Sequence, residues 1–180
     1  MTAPIVIVDY DPHWPEHFEV LLSRISPVLS PLAAAIEHVG STAIPGLAAK
    51  PIIDIDVLLH SAADLSKAIA RLATLGYQHR GDLGIPGREA FCPPPGNPPH
   101  HLYVCVPECL EYIRHIMFRN HLRTHPEEAH AYERLKRTLA GEYRNDREAY
   151  NQAKTEFVKA VLRRANTSTE HSPVSGRIIP

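Results

Sequence analysis

The stretch His38-Val39-Gly40-Ser41-Thr42-Ala43-Ile44-Pro45-Gly46-Leu47-Ala48-Ala49-Lys50-Pro51-Ile52-Ile53-Asp54-Ile55-Asp56-Val57 decides the fold. It reads as a strand, a Gly-Ser turn, a short irregular connection and a second strand that carries Asp54 and Asp56. Residues two apart on a strand point to the same face, so both carboxylates share one face while Ile53, Ile55 and Val57 take the other. Two like charges so close raise each other's pKa unless a cation lies between them. A hard divalent cation with oxygen ligands is the natural occupant. Gly40 and Ser41 offer backbone N–H groups free of side-chain obstruction, as a phosphate requires. About a dozen residues separate turn and carboxylates, enough to return the chain to an adjacent strand with both at one end of the sheet.

A carboxylate pair on a strand can also be its solvated face, since acids favour the surface. The flanking Pro51-Ile52-Ile53 and Val57-Leu58-Leu59 argue for a central strand instead. Uncompensated buried charge there would cost several kcal/mol.

Outward from this segment, Ile5 to Val8 read as a first strand, and Glu16 to Ser26 as a helix with Phe18, Leu21, Leu22 and Ile25 inward. Pro27 and Pro31 predict a kink or restart. Strands are expected at Ile36–Val39, Ile52–Leu59, Tyr77–Arg80, Arg88–Cys92 and His101–Val106. A helix with Leu65, Ile69, Leu72 and Leu75 on one face stops at Gly76. The Pro93–Pro99 segment cannot be regular structure. Three helices follow, marked by Leu110, Ile113 and Met117, then Tyr132, Leu135, Leu139 and Tyr143, then Tyr150, Ala153, Phe157 and Val161. Asn145 and Glu148 read as a capping box for the last. The 1–165 segment reads as one domain and 166–180 as a disordered tail outside it.

The 180 residues carry a net charge of −1, which gives no global basic field and no indication of nucleic-acid binding. The longest apolar runs fall short of a bilayer span and the start does not read as a signal peptide, so the expected address is cytoplasmic, with no membrane partner. The three cysteines read as buried free thiols rather than a disulfide framework or a zinc site. Among the twelve histidines, His100 and His101 face opposite ways on their strand. His115, His121 and His125 read as exposed polar residues.

His38-Val39-Gly40-Ser41-Thr42, Ile44-Pro45-Gly46-Leu47, Ala49-Lys50-Pro51 and Ile53-Asp54-Ile55-Asp56-Val57 resemble the GrpB family of the nucleotidyltransferase superfamily. Gly76-Tyr77, Arg88, His101-Leu102-Tyr103-Val104, Phe118-Arg119-Asn120-His121-Leu122-Arg123, Lys136, Tyr150 and Lys154 add to the resemblance, which covers about residues 5 to 164. It implies an α/β (α+β) fold: a nucleotidyltransferase-type mixed sheet flanked by helices, with a C-terminal helical part. It also implies that Gly40, Ser41 and Thr42 bind nucleotide phosphates, and that Asp54 and Asp56 are catalytic and hold Mg²⁺ or another divalent cation. The substrate would be an NTP, and the partner an unknown acceptor, small molecule or protein. Lys50 and Arg88 are phosphate candidates; Tyr103 and Arg119 are candidates for acceptor or phosphate contacts. Lys50 also reads as a solvated loop charge, and Arg88 and Arg119 as partners of buried acids.

One departure bears on activity. Nucleotidyltransferases usually add a third carboxylate from a later strand, and here that strand offers His101 and Tyr103, with no acid before Glu108. His101 is therefore a candidate metal ligand. Three functions follow: metal-dependent nucleotidyl transfer from an NTP, a catalytically degenerate nucleotide- or metal-binding accessory module, and a metal-dependent hydrolase using Asp54, Asp56 and His101.

Overall fold

The structure, a computed structural model, describes residues 4–170. Its elements are α1 (Trp14–Leu29), β1 (Ala33–Val39), β2 (Ile53–Leu59), α2 (Leu65–Thr74), β3 (Gln78–His79), β4 (Arg88–Cys92), β5 (His100–Cys105), α3 (Leu110–Thr124), α4 (Pro126–Glu142) and α5 (Arg147–Glu170). The strands form one mixed sheet in the order β1-β2-β5-β4-β3. Only the β2–β5 pairing is parallel; the others are antiparallel. The α+β class expected from the sequence is the one observed.

β2 is central, as its apolar run required. Ile53, Ile55, Val57 and Leu59 are buried on one face with Leu102 and Val104 of β5. Leu21, Ile25 and Leu29 of α1 and Ala68 and Leu72 of α2 close over that face. Fully burying each of these aliphatic side chains stabilises by roughly 1.5–3 kcal/mol. The other face is covered by the C-terminal helices, which have a smaller core of their own around Ile44, Leu47, Leu122, Tyr132 and Val161.

Several local expectations needed correction. Ile5–Val8 is no strand: Ile5 donates to the Arg144 carbonyl, and Val8 makes a single bridge to Ala49. The β-branched residues are an extended strap, not a sheet edge. Helix α1 runs through Pro27 to Leu29 without a restart. Asp146, not Asn145, caps α5, accepting from the Ala149 N–H at 3.0 Å. That helix continues to Glu170, so 166–170 are helical and only 171–180 of the expected tail lie outside the described residues. The three cysteines are free; Cys105 and Cys109 are buried and Cys92 is exposed. Among the described residues no helix is long and apolar enough to cross a membrane.

Candidate functional site

Strands β1 and β2 pair with Val39 opposite Asp54 and Glu37 opposite Asp56, which puts the Gly40–Ser41 turn beside the carboxylates. Gly40 has φ 71° and ψ −171°, a conformation essentially restricted to glycine. A Cβ there would collide with Asp54 Oδ2. The turn and the carboxylate oxygen are thus in direct van der Waals apposition.

The turn is clamped from both sides by α3. Arg119 Nη1 donates to the His38 carbonyl at 2.8 Å, while Arg123 Nε and Nη2 converge on the Ala43 carbonyl at 2.9 and 2.7 Å. The Thr42 hydroxyl donates to the Ile52 carbonyl at 3.3 Å, and His38 Nε2 lies 3.0 Å from the same hydroxyl oxygen. Thr42 has one proton to give, so His38 donates through Nε2–H. Burial lowers the His38 pKa to about 4, which keeps that imidazole neutral.

The charged side chains between the sheet and the C-terminal helices form pairs. Asp54 Oδ1 is 2.8 Å from His101 Nδ1, its neighbour across the parallel pairing. Asp56 is fully buried, and its Oδ2 is 2.7 Å from His115 Nδ1. Among the described residues Asp56 Oδ1 has no hydrogen-bond partner. Burial raises the Asp56 pKa, against the bond and charge of His115. Burial alone would lower the His115 pKa, but its bonds to Asp56 and Glu111 outweigh that and raise it to about 10. The His115 bond in turn holds the Glu111 carboxyl near a pKa of about 2. A fourth acid, Glu37, accepts from Arg119 at 2.7 Å.

Next to Asp56 on β5 stands Tyr103, with the Arg88 guanidinium 4.3 Å from its ring centroid. Arg88 is buried and its Nε lacks a partner. Lys50 Nζ lies 4.4 Å from the centroid of Tyr150, and Lys154 Nζ lies at the same distance from the same ring.

A cleft of about 840 Å³ opens between the turn, α3 and α5. Gly40, Ser41 and Asp54 line it on the sheet side, and Lys154, Lys159 and Arg163 line it from α5. Of the residues singled out in the sequence, Gly40, Ser41 and Asp54 therefore meet at the cleft. Asp56, His101, Arg88 and Tyr103 stand on β2, β5 and β4 outside the cleft lining. Two expectations shift. Thr42 is buried with its hydroxyl engaged in holding the turn, and Arg119 is consumed by Glu37 and the His38 carbonyl. His115 corrects a third: it is a partner of Asp56, not a solvated residue. His121 is likewise buried, 3.1 Å from Glu128. Among the described residues, no group of three or more His, Cys, Asp or Glu side chains is placed to hold a metal ion. His101 faces Asp54 as its hydrogen-bond partner.

Residues 4–164 match the GrpB protein family. The chain is a member of the GrpB family. The UPF0157 protein PA4798 of Pseudomonas aeruginosa is 39% identical over 97% of this chain and 73% of its own length. The crystal structure of the conserved protein GrpB from Enterococcus faecalis superposes with a TM-score of 0.82 at 30% identity, covering 92% of this chain and all of that one. A structure of the Cid1 poly(U) polymerase with MgGTP bound gives a TM-score of 0.51 at 13% identity, over 72% of this chain and 42% of that chain. At that identity the likeness is one of fold alone.

Proposed function

We propose that this GrpB protein binds a nucleoside triphosphate together with a divalent cation and transfers its nucleotidyl group to an acceptor. The observation that carries this is the contact between Gly40 and Asp54. A turn shaped for phosphate and packed against a carboxylate would repel its ligand unless a cation lay between them. The donor set suits such an ion. Asp56 Oδ1 is a buried carboxylate oxygen with no partner, and Asp54 Oδ2 faces the turn. Mg²⁺ keeps several waters and is commonly bound by one or two carboxylates plus substrate phosphates, so two aspartates suffice where a protein-only cage would not. Asp54 and Asp56 would hold the ion, which supplies neutralisation of charge developing on the phosphate.

The rest is performed by the chain's own groups. Gly40 and Ser41 receive phosphate oxygens, and Arg119 and Arg123 fix the turn carbonyls so that its shape does not depend on the ligand. His101 orients Asp54, and His115, tied to Glu111, orients Asp56. The cleft beyond Ser41 leaves room for the acceptor.

A second reading, a nucleotide-binding accessory module without transfer, is favoured by Tyr103. It occupies the β5 position beside Asp56 where a third carboxylate would stand, beneath Arg88. Calorimetric titration with ATP, GTP, CTP and UTP, with and without Mg²⁺, tests the binding common to both readings. Incubation of a bound NTP with candidate acceptors, following pyrophosphate release, separates them. Failure of every NTP to bind would remove both.

A further inference from the structure

Two ammonium groups stand on one aromatic ring beside the turn, and among the described residues neither has an acid bonded to it. Lys50 Nζ and Lys154 Nζ are each 4.4 Å from the Tyr150 centroid, so they are at most twice that distance apart. Tyr150 is almost fully buried, so the ring they share is fixed in the fold. Arg147 adds a third positive charge acting on each of them, and Asp54 is the carboxylate that opposes both lysines. The Lys154 pKa falls to about 8, first through burial and then through repulsion by Lys50. Two other buried cations are engaged: Arg119 meets Glu37 and Lys136 donates to the Ala48 carbonyl. Lys154 also lines the cleft, together with Gly40, Ser41 and Asp54.

Like charges held together in a partly dry site raise the free energy of the empty protein, and an anion that joins them lowers it. Three cations against one carboxylate call for a ligand with more than one negative charge. A magnesium-bound triphosphate carries roughly two net negative charges, which balances the set, whereas a monophosphate spans less of it.

We propose that Lys154, with Lys50 and Arg147, forms a polyphosphate subsite that holds the outer phosphates of the nucleotide. This rests on the reading of the cleft as a nucleotide site, and it assigns to Lys154 and Arg147 a task that the strand residues cannot perform. The subsite selects triphosphates over monophosphates and is independent of the base.

Inorganic tripolyphosphate and orthophosphate, titrated into wild type, Lys154→Met and Lys154→Arg and followed by calorimetry and thermal shift, test it. Wild type should bind tripolyphosphate at least about tenfold more tightly than orthophosphate, as charge-assisted contacts to several phosphates require. Lys154→Met should lose about tenfold or more of the tripolyphosphate affinity, while its ligand-free melting temperature does not fall. Lys154→Arg should keep most of the affinity. If Lys154→Met does not fold, Lys154→Gln serves in its place. Unchanged tripolyphosphate affinity on loss of the lysine, or equal affinity of wild type for the two anions, would overturn the subsite. Tripolyphosphate binding lost with Lys154 in a protein that binds no NTP would leave the subsite standing and remove the nucleotide reading. NTP binding indifferent to Lys154 would do the reverse.

Discussion

On one face of β2, Ile53, Ile55, Val57 and Leu59 meet only hydrocarbon from α1, α2 and β5; on the other, Asp54 and Asp56 meet histidines, arginines and a cleft. The same strand thus serves two regions with different physics. The apolar face is stabilised by area removed from water and tolerates little loss of volume. The charged face is stabilised pair by pair, Glu37 with Arg119, Asp54 with His101 and Asp56 with His115, and leaves unpartnered atoms at Asp56 Oδ1 and Arg88 Nε. A face arranged for stability alone would not hold buried polar atoms without partners, because each costs about 1–3 kcal/mol. That difference is what supports the proposed site on the charged side.

The largest effect should come from the apolar face. Leu102→Ala, at a fully buried position, should lower unfolding free energy by about 2–5 kcal/mol in urea denaturation without altering NTP affinity in the folded fraction. A change in affinity as large as the loss of stability would break the division between the faces. Gly40→Ala comes next. Backbone strain at φ 71° costs about 1–3 kcal/mol, and the new methyl must displace Asp54. Stability and nucleotide binding should fall together, as melting temperature and calorimetry would show.

The His115 pair should make the charged face sensitive to pH. Its folded pKa, about 10, lies above the ordinary histidine value of 6.5. The stabilisation is therefore complete below about pH 6.5 and disappears as pH rises through 10. The stability difference between wild type and His115→Gln, measured by denaturant titration, should narrow across that window. A constant difference would mean that His115 is held as a neutral group. The smallest effect is expected at Tyr103. Tyr103→Phe keeps a ring under Arg88 and should change stability by less than about 1 kcal/mol, whereas Tyr103→Ala removes a cation–π contact worth about 0.5–2 kcal/mol.

Sequence reading reached β2 and its two carboxylates because a strand's alternation is local: Ile53, Asp54, Ile55 and Asp56 declare their faces without reference to the rest of the chain. The turn was legible for the same reason, since Gly40 and Asp54 are joined by a short connection. His115 was not. Its partner Asp56 is 59 residues away, and the spacing of His115, His121 and His125 on a helix holds no trace of it. Lys50 shows the same limit: Tyr150 and Lys154 lie one turn apart on α5, but only folding brings Lys50 to their ring. Ile5–Val8 failed in the opposite sense. Its β-branched residues favour extended backbone, but whether an extended segment joins a sheet is settled by its neighbours, here Ala49 and Arg144. Thr42 and Arg119 have the chemistry of phosphate contacts and hold the turn instead, a distinction that depends on burial.

The central claim is that the Gly40–Ser41 turn and the Asp54/Asp56 pair act together on a metal-bound nucleotide. Calorimetric titration of wild type and Asp54→Asn/Asp56→Asn with NTPs, each with and without Mg²⁺, tests it most directly. Wild type should bind at least one NTP, more tightly with Mg²⁺ than without, and the double variant should lose the Mg²⁺-dependent gain. Equal affinity of the two proteins in the presence and absence of Mg²⁺ would contradict the claim.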